Sequence, residues 1–306
     1  MFGPNDLMDV IIMKCLICGN EQLEYTDTIV SSFVMARISD SFEEGSNTKT
    51  RLCYCPKCTF AFYEYRMTDD EQSRLYLNYR DKNYQELREK YECWYTKKVN
   101  NALNNDTLAL HEQQRVIEAI IAKNMKTKPV SVLDWGGNEG KTLTPAMGSE
   151  KYVYDISCVP TVEGVTGLSS FEEVKKRHYD LILCNMLFEH VSDPLGLLRQ
   201  LKELSGDGTY FYIEVPSETP FKTNKFSISQ NLRLLVNPIH SKTRLIRYYF
   251  KRRKLPFMPM AEHINFFTAE SLRAMVENAG FTILDLQENT EKCVLGKSTV
   301  LSVLFV

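Results

Sequence analysis

The sequence predicts an α/β protein in which a mostly parallel sheet carries helices on both faces, preceded by a small ribbon and a helical connector. Apolar strand-like runs alternate with amphipathic helical segments in residues 126–306, a pattern typical of parallel strands joined by crossover helices. The segment VSVLDWGGNEG is predicted to be the first of these strands followed by a glycine-rich turn that opens a helix, and two CxxC pairs lie in the first 58 residues. At 306 residues the chain exceeds the usual size of one domain. We therefore expect a ribbon over 13–65, a connector over 66–125 and the sheet domain over 126–306.

The composition and charge of the chain narrow the class of protein. A hydrophobic content of 43% can fill a sizeable core, and a net charge of -2 gives no general attraction to nucleic acid or to anionic membranes. No apolar run is long enough to cross a membrane, and the run over 10–13 is too short for the core of a signal peptide. We therefore expect a cytoplasmic protein, while the composition indicates no particular oligomeric state.

The cysteines are concentrated near the amino terminus, where five of the nine lie in CLIC and CYCPKC. In a reducing compartment, two CxxC pairs predict four thiolates around one structural zinc ion rather than disulfides. The predicted ligands are Cys15, Cys18, Cys55 and Cys58. Cys53 is surplus, although it could replace Cys55 in a different register. The alternative is that these cysteines are free thiols in strands.

The connector is expected to be helical and rich in aromatic side chains. Thr68 followed by Glu71 forms a capping-box pattern, and aromatic residues between 75 and 95 recur largely at helical spacing. We expect most of these rings to pack one helix against its neighbour. The alternative for a few of them is a lid, since tyrosine and arginine side chains can close over a polar substrate. The residues of this lid hypothesis are Tyr79, Arg80, Tyr84 and Arg88.

The glycine-rich turn predicts a ligand site at the carboxyl end of a parallel strand. Asp134 ends the strand, and Gly136 and Gly140 let the backbone turn tightly and approach a ligand. The order is DxGxxxG rather than the GxGxxG of dinucleotide sites, and a carboxylate suits a cationic or amino-bearing ligand better than a pyrophosphate. Asp155 ends the next strand, over 151–156, where such folds place a carboxylate on ribose hydroxyls. A nucleoside without a pyrophosphate fits this pattern best.

The segments VLDWGGNEG, YVYDI and YDLILCNMLFEHVSDP resemble the successive motifs of class I S-adenosylmethionine-dependent methyltransferases. The resemblance implies a Rossmann-like seven-stranded sheet with S-adenosylmethionine as the cofactor. It places the glycine loop against the methionine part of the cofactor, Asp155 on the ribose, and the residues after the fourth strand near the methyl group. Trp135 stands where smaller residues are common, and would press on the cofactor or on the next helix. The cofactor-binding residues implied in this way are Asp134, Trp135, Gly136, Gly140, Asp155, Asn185 and Met186.

The other elements continue the alternation of strands and helices. We predict strands over 179–184, 209–215, 281–286 and 299–306, and helices over 111–123, 194–204 and 268–279. A substrate-side insert over about 216–260 interrupts the rhythm, where many small-molecule methyltransferases cover their substrate. Its stretch 241–254 holds seven Lys or Arg residues, which predict either a phosphate site or a solvated helix face.

Two histidines are candidates for removing a proton from the methyl acceptor. His190 follows the fourth strand, and the resemblance places it near the cofactor methyl; the alternative is a structural imidazole bonded to a loop carbonyl. The other candidate is His263, which we expect to act paired with Glu262 in AEHINFFTAESL. This segment, with the amino-terminal cysteines, is similar to sugar methyltransferases that act on nucleotide-linked deoxysugars. In those enzymes a histidine in a closely similar EH motif is implicated in proton removal. Their pattern has a tyrosine where this chain has Met260, which speaks against carbon methylation and leaves oxygen and nitrogen acceptors open.

These motifs together predict methyl transfer to a small polar acceptor: a sugar, a nucleotide-linked sugar or a phosphorylated metabolite of surface-glycan or secondary-metabolite biosynthesis. The overall acidity argues against extended contact with nucleic acid. Two alternatives stay open. A methyltransferase of RNA or protein would grip its polymer through the ribbon and the basic stretch, in a salt-sensitive way. A non-enzymatic zinc-dependent scaffold would fail to bind the cofactor.

Overall fold

A computed structural model describes residues 13–157, 159–206, 208–218 and 258–306. The smaller of its two sheets is antiparallel and is built mainly from the amino-terminal ribbon, with the strand order β1-β2-β3-β9. These strands are β1 (Glu24–Ile29), β2 (Lys49–Tyr54), β3 (Ala61–Tyr63) and β9 (Asn265–Phe266). Helix α1 (Ser32–Ile38) follows β1, and the Ser31 side chain caps it by accepting the Val34 N–H. Because β9 comes from the far end of the chain, the ribbon is completed by the carboxyl-terminal region.

The connector consists of four helices, each begun by a side chain that accepts a backbone N–H of its first turn. They are α2 (Asp69–Tyr76), α3 (Lys82–Tyr91), α4 (Lys97–Asn104) and α5 (Thr107–Asn124). The predicted capping box at Thr68 and Glu71 is confirmed at the start of α2. Helices α1, α2 and α3 enclose an aromatic core in which Tyr84 and Tyr95 are completely buried.

The larger sheet has seven strands, in the order β10-β11-β8-β7-β4-β5-β6. They are β4 (Ser131–Trp135), β5 (Glu150–Tyr154), β6 (Thr166–Leu168), β7 (Leu181–Asn185), β8 (Tyr210–Pro216), β10 (Ile283–Cys293) and β11 (Gly296–Phe305). Strands β4 to β8 are parallel, whereas β11 is antiparallel to β8 and forms a hairpin with β10. This is the predicted Rossmann-like, mostly parallel sheet. The strand order reverses beside β4, which creates a crevice at the carboxyl ends of the strands.

Helices cover both faces of this sheet, as predicted. The remaining helices in the described part of the chain are α6 (Phe171–Lys175), α7 (Pro194–Lys202) and α8 (Ala269–Asn278). On one face α5 packs against Val132 and Leu183, and on the other α7 and α8 pack against Ile182 and Ile213. Alternate residues of β7 therefore belong to different cores, which is the period-two pattern of a strand buried on both faces. No helix of the described residues is long and apolar enough to cross a membrane.

Three details differ from the sequence prediction. The glycine-rich turn does not open a helix, because residues 141–149 form successive turns. Pro145 cannot donate a helical hydrogen bond, and a side chain at Gly148 would lie 2.9 Å from the Val130 carbonyl oxygen, so this connection is too constrained for a helix. The short strand β6 was not predicted, and β10 and β11 are longer than expected. The predicted boundaries at 65 and 125 stay predictions, although β9 links the first and last segments.

Candidate functional site

The backbone of the glycine-rich turn packs so closely on its neighbours that no residue larger than glycine fits there. Gly136 has φ +78° and donates its N–H to the Tyr154 carbonyl oxygen at 2.8 Å. A Cβ on Gly137 would lie 2.4 Å from the carboxyl carbon of Asp134. Gly140 also has φ +78°, and a Cβ there would lie 2.9 Å from methyl groups of Val153 and Val165. The turn therefore lies directly on the ends of β4 and β5, as the pattern predicted.

Asp134 is completely buried at the end of β4 and carries an unsatisfied oxygen. Its Oδ1 accepts a long hydrogen bond of 3.4 Å from Nδ2 of Asn185. Among the described residues neither Oδ2 of Asp134 nor Oδ1 of Asn185 has a hydrogen-bond partner. Burial, together with the nearby charge of Asp155, raises the pKa of Asp134 to about 7. Two buried acceptors without donors are unfavourable in isolation and fit a cationic or amino-bearing ligand.

Asp155 and Met186 lie in the loops beside this pair. Asp155 accepts hydrogen bonds of 2.8 Å from the N–H groups of Asn138 and Ser157, so its carboxylate is fixed against the glycine turn. Met186 has φ +48° and donates its N–H to the Glu214 carbonyl oxygen at 2.9 Å. A non-glycine residue in this region is strained, and such strain is concentrated at functional sites.

Trp135 lies on the core side of the turn. Its ring centroid is 4.6 Å from that of Tyr154 and 5.7 Å from that of Phe171 on α6. The ring therefore packs on the end of β5 and on α6, whereas the helix expected directly after the turn does not form. Contact of Trp135 with the cofactor stays a prediction.

A second cluster of titratable groups joins three segments beyond the strand ends. The rings of His190, which follows β7, and His263, which precedes β9, have centroids 4.8 Å apart. Nδ1 of His263 lies 2.9 Å from Oε2 of Glu218, which follows β8. Burial lowers the pKa of His263, but the Glu218 charge outweighs it and the pKa is raised to about 9. Burial alone would raise the pKa of Glu218, yet the pairing holds it below its usual value.

His190 has the opposite electrostatic environment. Burial and the neighbouring His263 lower its pKa to about 4, so the ring is neutral at pH 7. Its Nδ1 lies 3.0 Å from the Glu262 carbonyl oxygen and 2.8 Å from the Tyr76 hydroxyl. A carbonyl oxygen only accepts, so this contact is satisfied when the proton is on Nδ1 and the lone pair is on Nε2. Glu189 is buried beside it, and burial raises the pKa of Glu189 to about 8.

Glu262 does not interact with His263 through its carboxylate. One of its oxygens accepts from the Tyr84 hydroxyl and the other from the Arg88 guanidinium, both of which belong to α3. The structure thus brings the predicted His190 and His263 together and turns Glu262 towards the connector.

Three further residues of this cluster were not identified from the sequence: Tyr76, Glu189 and Glu218. Arg88, which the sequence suggested only for a lid, reaches the cluster through Glu262. Glu218 could have been found, because it follows the fifth strand in the same way that Asp155 follows the second. Nothing in the sequence connects Tyr76 or Arg88 with this cluster, since their contacts depend on tertiary structure.

The four predicted zinc ligands also come together. The Sγ atoms of Cys15, Cys18, Cys55 and Cys58 lie within 4.8 Å of one another. The Cys15–Cys58 and Cys18–Cys55 Sγ separations are both 3.5 Å. Cys53 is not part of this group and contacts Met13 instead, so the fourth cysteine of the group is Cys55 and not Cys53. The basic stretch 241–254 and most of the predicted insert lie outside the described residues.

Three solved structures resemble this chain, each with low sequence identity. A 1,6-didemethyltoxoflavin-N1-methyltransferase from Burkholderia thailandensis, bound to 1,6-didemethyltoxoflavin and S-adenosylhomocysteine, has a TM-score of 0.47 and 13% identity, with 84% of this chain and 94% of that chain covered. A SAM-dependent methyltransferase from Aquifex aeolicus has a TM-score of 0.40 and 18% identity, with 65% of this chain and 92% of that chain covered. The magnesium protoporphyrin IX methyltransferase of Synechocystis PCC 6803 has a TM-score of 0.36 and 12% identity, with 64% of this chain and 83% of that chain covered. No curated protein matches the sequence.

The family comparison is more direct. The model of the methyltransferase domain matches residues 109–286, which is more than half of the chain and includes the glycine turn, both strand-end acids and both site histidines. The chain therefore belongs to the methyltransferase-domain family and is an S-adenosylmethionine-dependent methyltransferase.

Proposed function

We propose that this enzyme transfers the methyl group of S-adenosylmethionine to an oxygen or nitrogen atom of a small polar acceptor. The acceptor class is a sugar, a nucleotide-linked sugar or a phosphorylated metabolite of surface-glycan or secondary-metabolite biosynthesis. The observation that carries the proposal is the His263–Glu218 pair beside His190, at the same edge of the sheet as Asp134 and Asn185. The site thus combines groups suited to the donor with groups suited to proton removal.

The residues at the strand ends fit the methyl donor. Asp134 and Asn185 offer the unsatisfied buried acceptors that an amino group requires, and Asp155 stands where ribose hydroxyls are held. The cofactor, when bound, supplies an electrophilic methyl group on a sulfonium, and its displacement is in line, so positioning supplies much of the rate. Asn185 and Met186, at the end of β7, would lie closest to the reacting methyl.

His263 is our candidate for the base that takes the acceptor proton. Its pairing with Glu218 orients the imidazole and stabilises the charged form that proton removal creates. His190 is the second candidate, and its neutral ring is ready to accept a proton at pH 7. Met260 is completely buried and paired through its backbone with Ile29 and Ser31, so this position offers no hydroxyl to the site. That supports an oxygen or nitrogen acceptor.

The phosphate-bearing character of the acceptor rests on the basic stretch alone. Seven Lys or Arg residues between 242 and 254 occupy the segment between β8 and β9, and guanidinium groups bind phosphate in bidentate fashion.

We also propose that Cys15, Cys18, Cys55 and Cys58 hold a structural zinc ion. Four thiols with mutual Sγ separations within 4.8 Å match a tetrahedral thiolate site. A metal site built from thiols supports a reducing, cytoplasmic location, which is part of this proposal. Elemental analysis should find one zinc per chain in the purified protein. Cys15→Ser should lose the metal, whereas Cys53→Ser should retain it, because Cys53 lies outside the group. Zinc-free wild-type protein with a native circular dichroism spectrum would contradict this proposal.

The function is tested by a screen followed by three variants. Nucleotide-sugars and phosphorylated metabolites are incubated with enzyme and S-adenosylmethionine, and products are sought by the mass of one added methyl group. His263→Ala should bind S-adenosylhomocysteine normally and lose turnover, whereas Asp155→Ala should lose binding in calorimetry. His111→Ala is the matched control, since His111 is exposed on α5. Unchanged turnover in His263→Ala would refute its role as the base.

A further inference from the structure

A buried ion-pair network links the connector to the segment that carries His263. The Arg88 guanidinium donates through Nε to Glu92 at 2.9 Å and through Nη1 to both Glu262 and the Tyr84 hydroxyl. All four residues are largely inaccessible to solvent. Aromatic rings surround the cation, with the centroid of Tyr95 at 4.1 Å and those of Phe33 and Trp94 at 5.3 and 5.4 Å. Arg88 is therefore fixed from several sides.

The same network removes Glu262 from proton transfer. Burial alone would raise the pKa of Glu262, but the Arg88 charge and the Tyr84 hydrogen bond hold it below the usual value. Both carboxylate oxygens are occupied by these donors, so protonation of Glu262 would break a buried ion pair. Its backbone carbonyl, in contrast, faces the site and contacts Nδ1 of His190.

We propose that Arg88 is a positioning residue for the methyl-transfer site. Arg88 holds the Glu262 side chain; the Glu262 carbonyl then selects the Nδ1–H tautomer of His190, and His263 follows directly in the chain. This inference rests on the proposed function for its effect on turnover, and on geometry alone for its effect on His190. The charged and titratable groups that face His190 are Tyr76, Glu189, Glu218, Glu262 and His263.

The network also changes the interpretation of the predicted lid. A closing lid needs side chains that are free to move onto a substrate. The side chains of Tyr84 and Arg88 instead donate hydrogen bonds to Glu262, so α3 is fixed against the segment that carries His263.

The first test removes the guanidinium and then supplies it again. Arg88→Ala should lower turnover by about tenfold to hundredfold, as expected when a reacting group is displaced, with unchanged affinity for S-adenosylhomocysteine. Millimolar guanidinium chloride should restore part of that turnover by occupying the vacated aromatic cage. Arg51→Ala is the matched control, because Arg51 pairs with Glu64 in the ribbon, and guanidinium should leave its turnover unchanged. Absence of rescue in a folded Arg88→Ala variant would overturn the proposal.

The second test reads the His190 tautomer directly and needs no methyl acceptor. Nitrogen-15 NMR should find one Nδ1–H tautomer in the wild type and a mixture in Arg88→Ala, or in Arg88→Lys if the alanine variant does not fold. Glu262→Gln breaks the same buried ion pair from its other side and should also give a mixture of tautomers, whereas Arg51→Ala in the ribbon should keep the single tautomer. A single tautomer in the Arg88 variant would overturn the proposal, and so would a mixture of tautomers in Arg51→Ala. Wild-type protein without methyl transfer would refute the proposed function and leave the tautomer result as the test of Arg88.

Discussion

Glu218→Gln is the substitution that most directly tests His263 as the base. The Glu218 carboxylate lies 2.9 Å from Nδ1 of His263, and its charge outweighs the burial that would otherwise lower the pKa. With the pKa raised to about 9, a fraction of only about 1% of His263 is unprotonated at pH 7. If His263 accepts the acceptor proton, kcat/KM of the wild-type enzyme should therefore rise with pH up to about 9.

Removing the carboxylate charge leaves burial as the dominant influence on His263. The pH up to which kcat/KM rises should then move from about 9 to 6.5 or below, a shift of at least about two pH units. Glu218→Asp keeps the charge, so in this variant kcat/KM should still rise up to a pH above 6.5. The side chains of His263 and Glu218 are 36% and 41% exposed, so salt screens the pair, and the pH up to which wild-type kcat/KM rises should move towards 6.5 at high ionic strength.

The assay is the initial rate of methyl transfer between about pH 5 and about pH 10, at saturating S-adenosylmethionine, in wild type and both variants. A raised histidine pKa stabilises the fold fully below pH 6.5, and this contribution is lost as the pH rises through about 9. Tm is therefore measured at each pH to separate unfolding from catalysis. A rise of kcat/KM up to the same pH in wild type and Glu218→Gln would refute the reasoning. A profile that stays flat to the lower end of this range would assign the proton transfer to His190 instead, because the pKa of His190 is lowered to about 4.

Three further predictions concern the donor half of the site and the loop that carries His190. Gly137→Ala should abolish binding of S-adenosylhomocysteine in calorimetry, because its Cβ would lie 2.4 Å from the Asp134 carboxyl carbon, whereas Gly167→Ala, with its nearest atom at 3.4 Å, should bind normally. Binding at pH 7 should release a proton from Asp134, whose pKa is raised to about 7, as measured in buffers of different ionisation enthalpy; Asp134→Asn should abolish this release, and an unchanged release would contradict the assignment. Asn265→Ala should lower the free energy of unfolding by about 3 kcal/mol in urea, because it leaves the Phe188 carbonyl without its donor, removes one of the two donors to the Val191 carbonyl and takes away the Oδ1 acceptor of Arg66. A loss below about 1 kcal/mol would show that water replaces this donor.

The features that could be predicted from the sequence are those that depend on neighbouring residues. The capping box of Thr68 and Glu71, and the helix start at Pro194 after the Asp193 cap, are determined within one turn of helix. The glycine turn is also local, since the acid and glycines that define it are contiguous. The helix expected after that turn was wrong because the constraint comes from Gly148, which packs on the strand that precedes the turn.

The arrangement of the histidine cluster could be predicted only in part. Sequence adjacency suggested that Glu262 and His263 act together, but neighbouring residues of a chain entering a strand present their side chains in different directions. Glu262 faces α3 and His263 faces the residue after β8, and both partners are distant in sequence. The pairing of β3 with β9 has the same origin, because two residues of β9 carry no periodic signal of their own.

The contacts of the loop after β7 bring the amino-terminal third of the chain against the proposed active site. Arg66, just past β3, donates to the carbonyl oxygens of Val191 and Ser192 at 2.7 and 2.8 Å and to Oδ1 of Asn265 at 2.8 Å. Tyr76 of α2 contacts the His190 ring itself. The sheet edge alone supplies the groups suited to the methyl donor, whereas the ribbon and connector fix the loop and the imidazoles suited to the acceptor. The match to the family, over residues 109–286, includes both the strand-end groups and the two histidines but leaves Arg66, Tyr76 and Arg88 outside it, so we expect acceptor positioning to depend on the amino-terminal region as well as on the methyltransferase core.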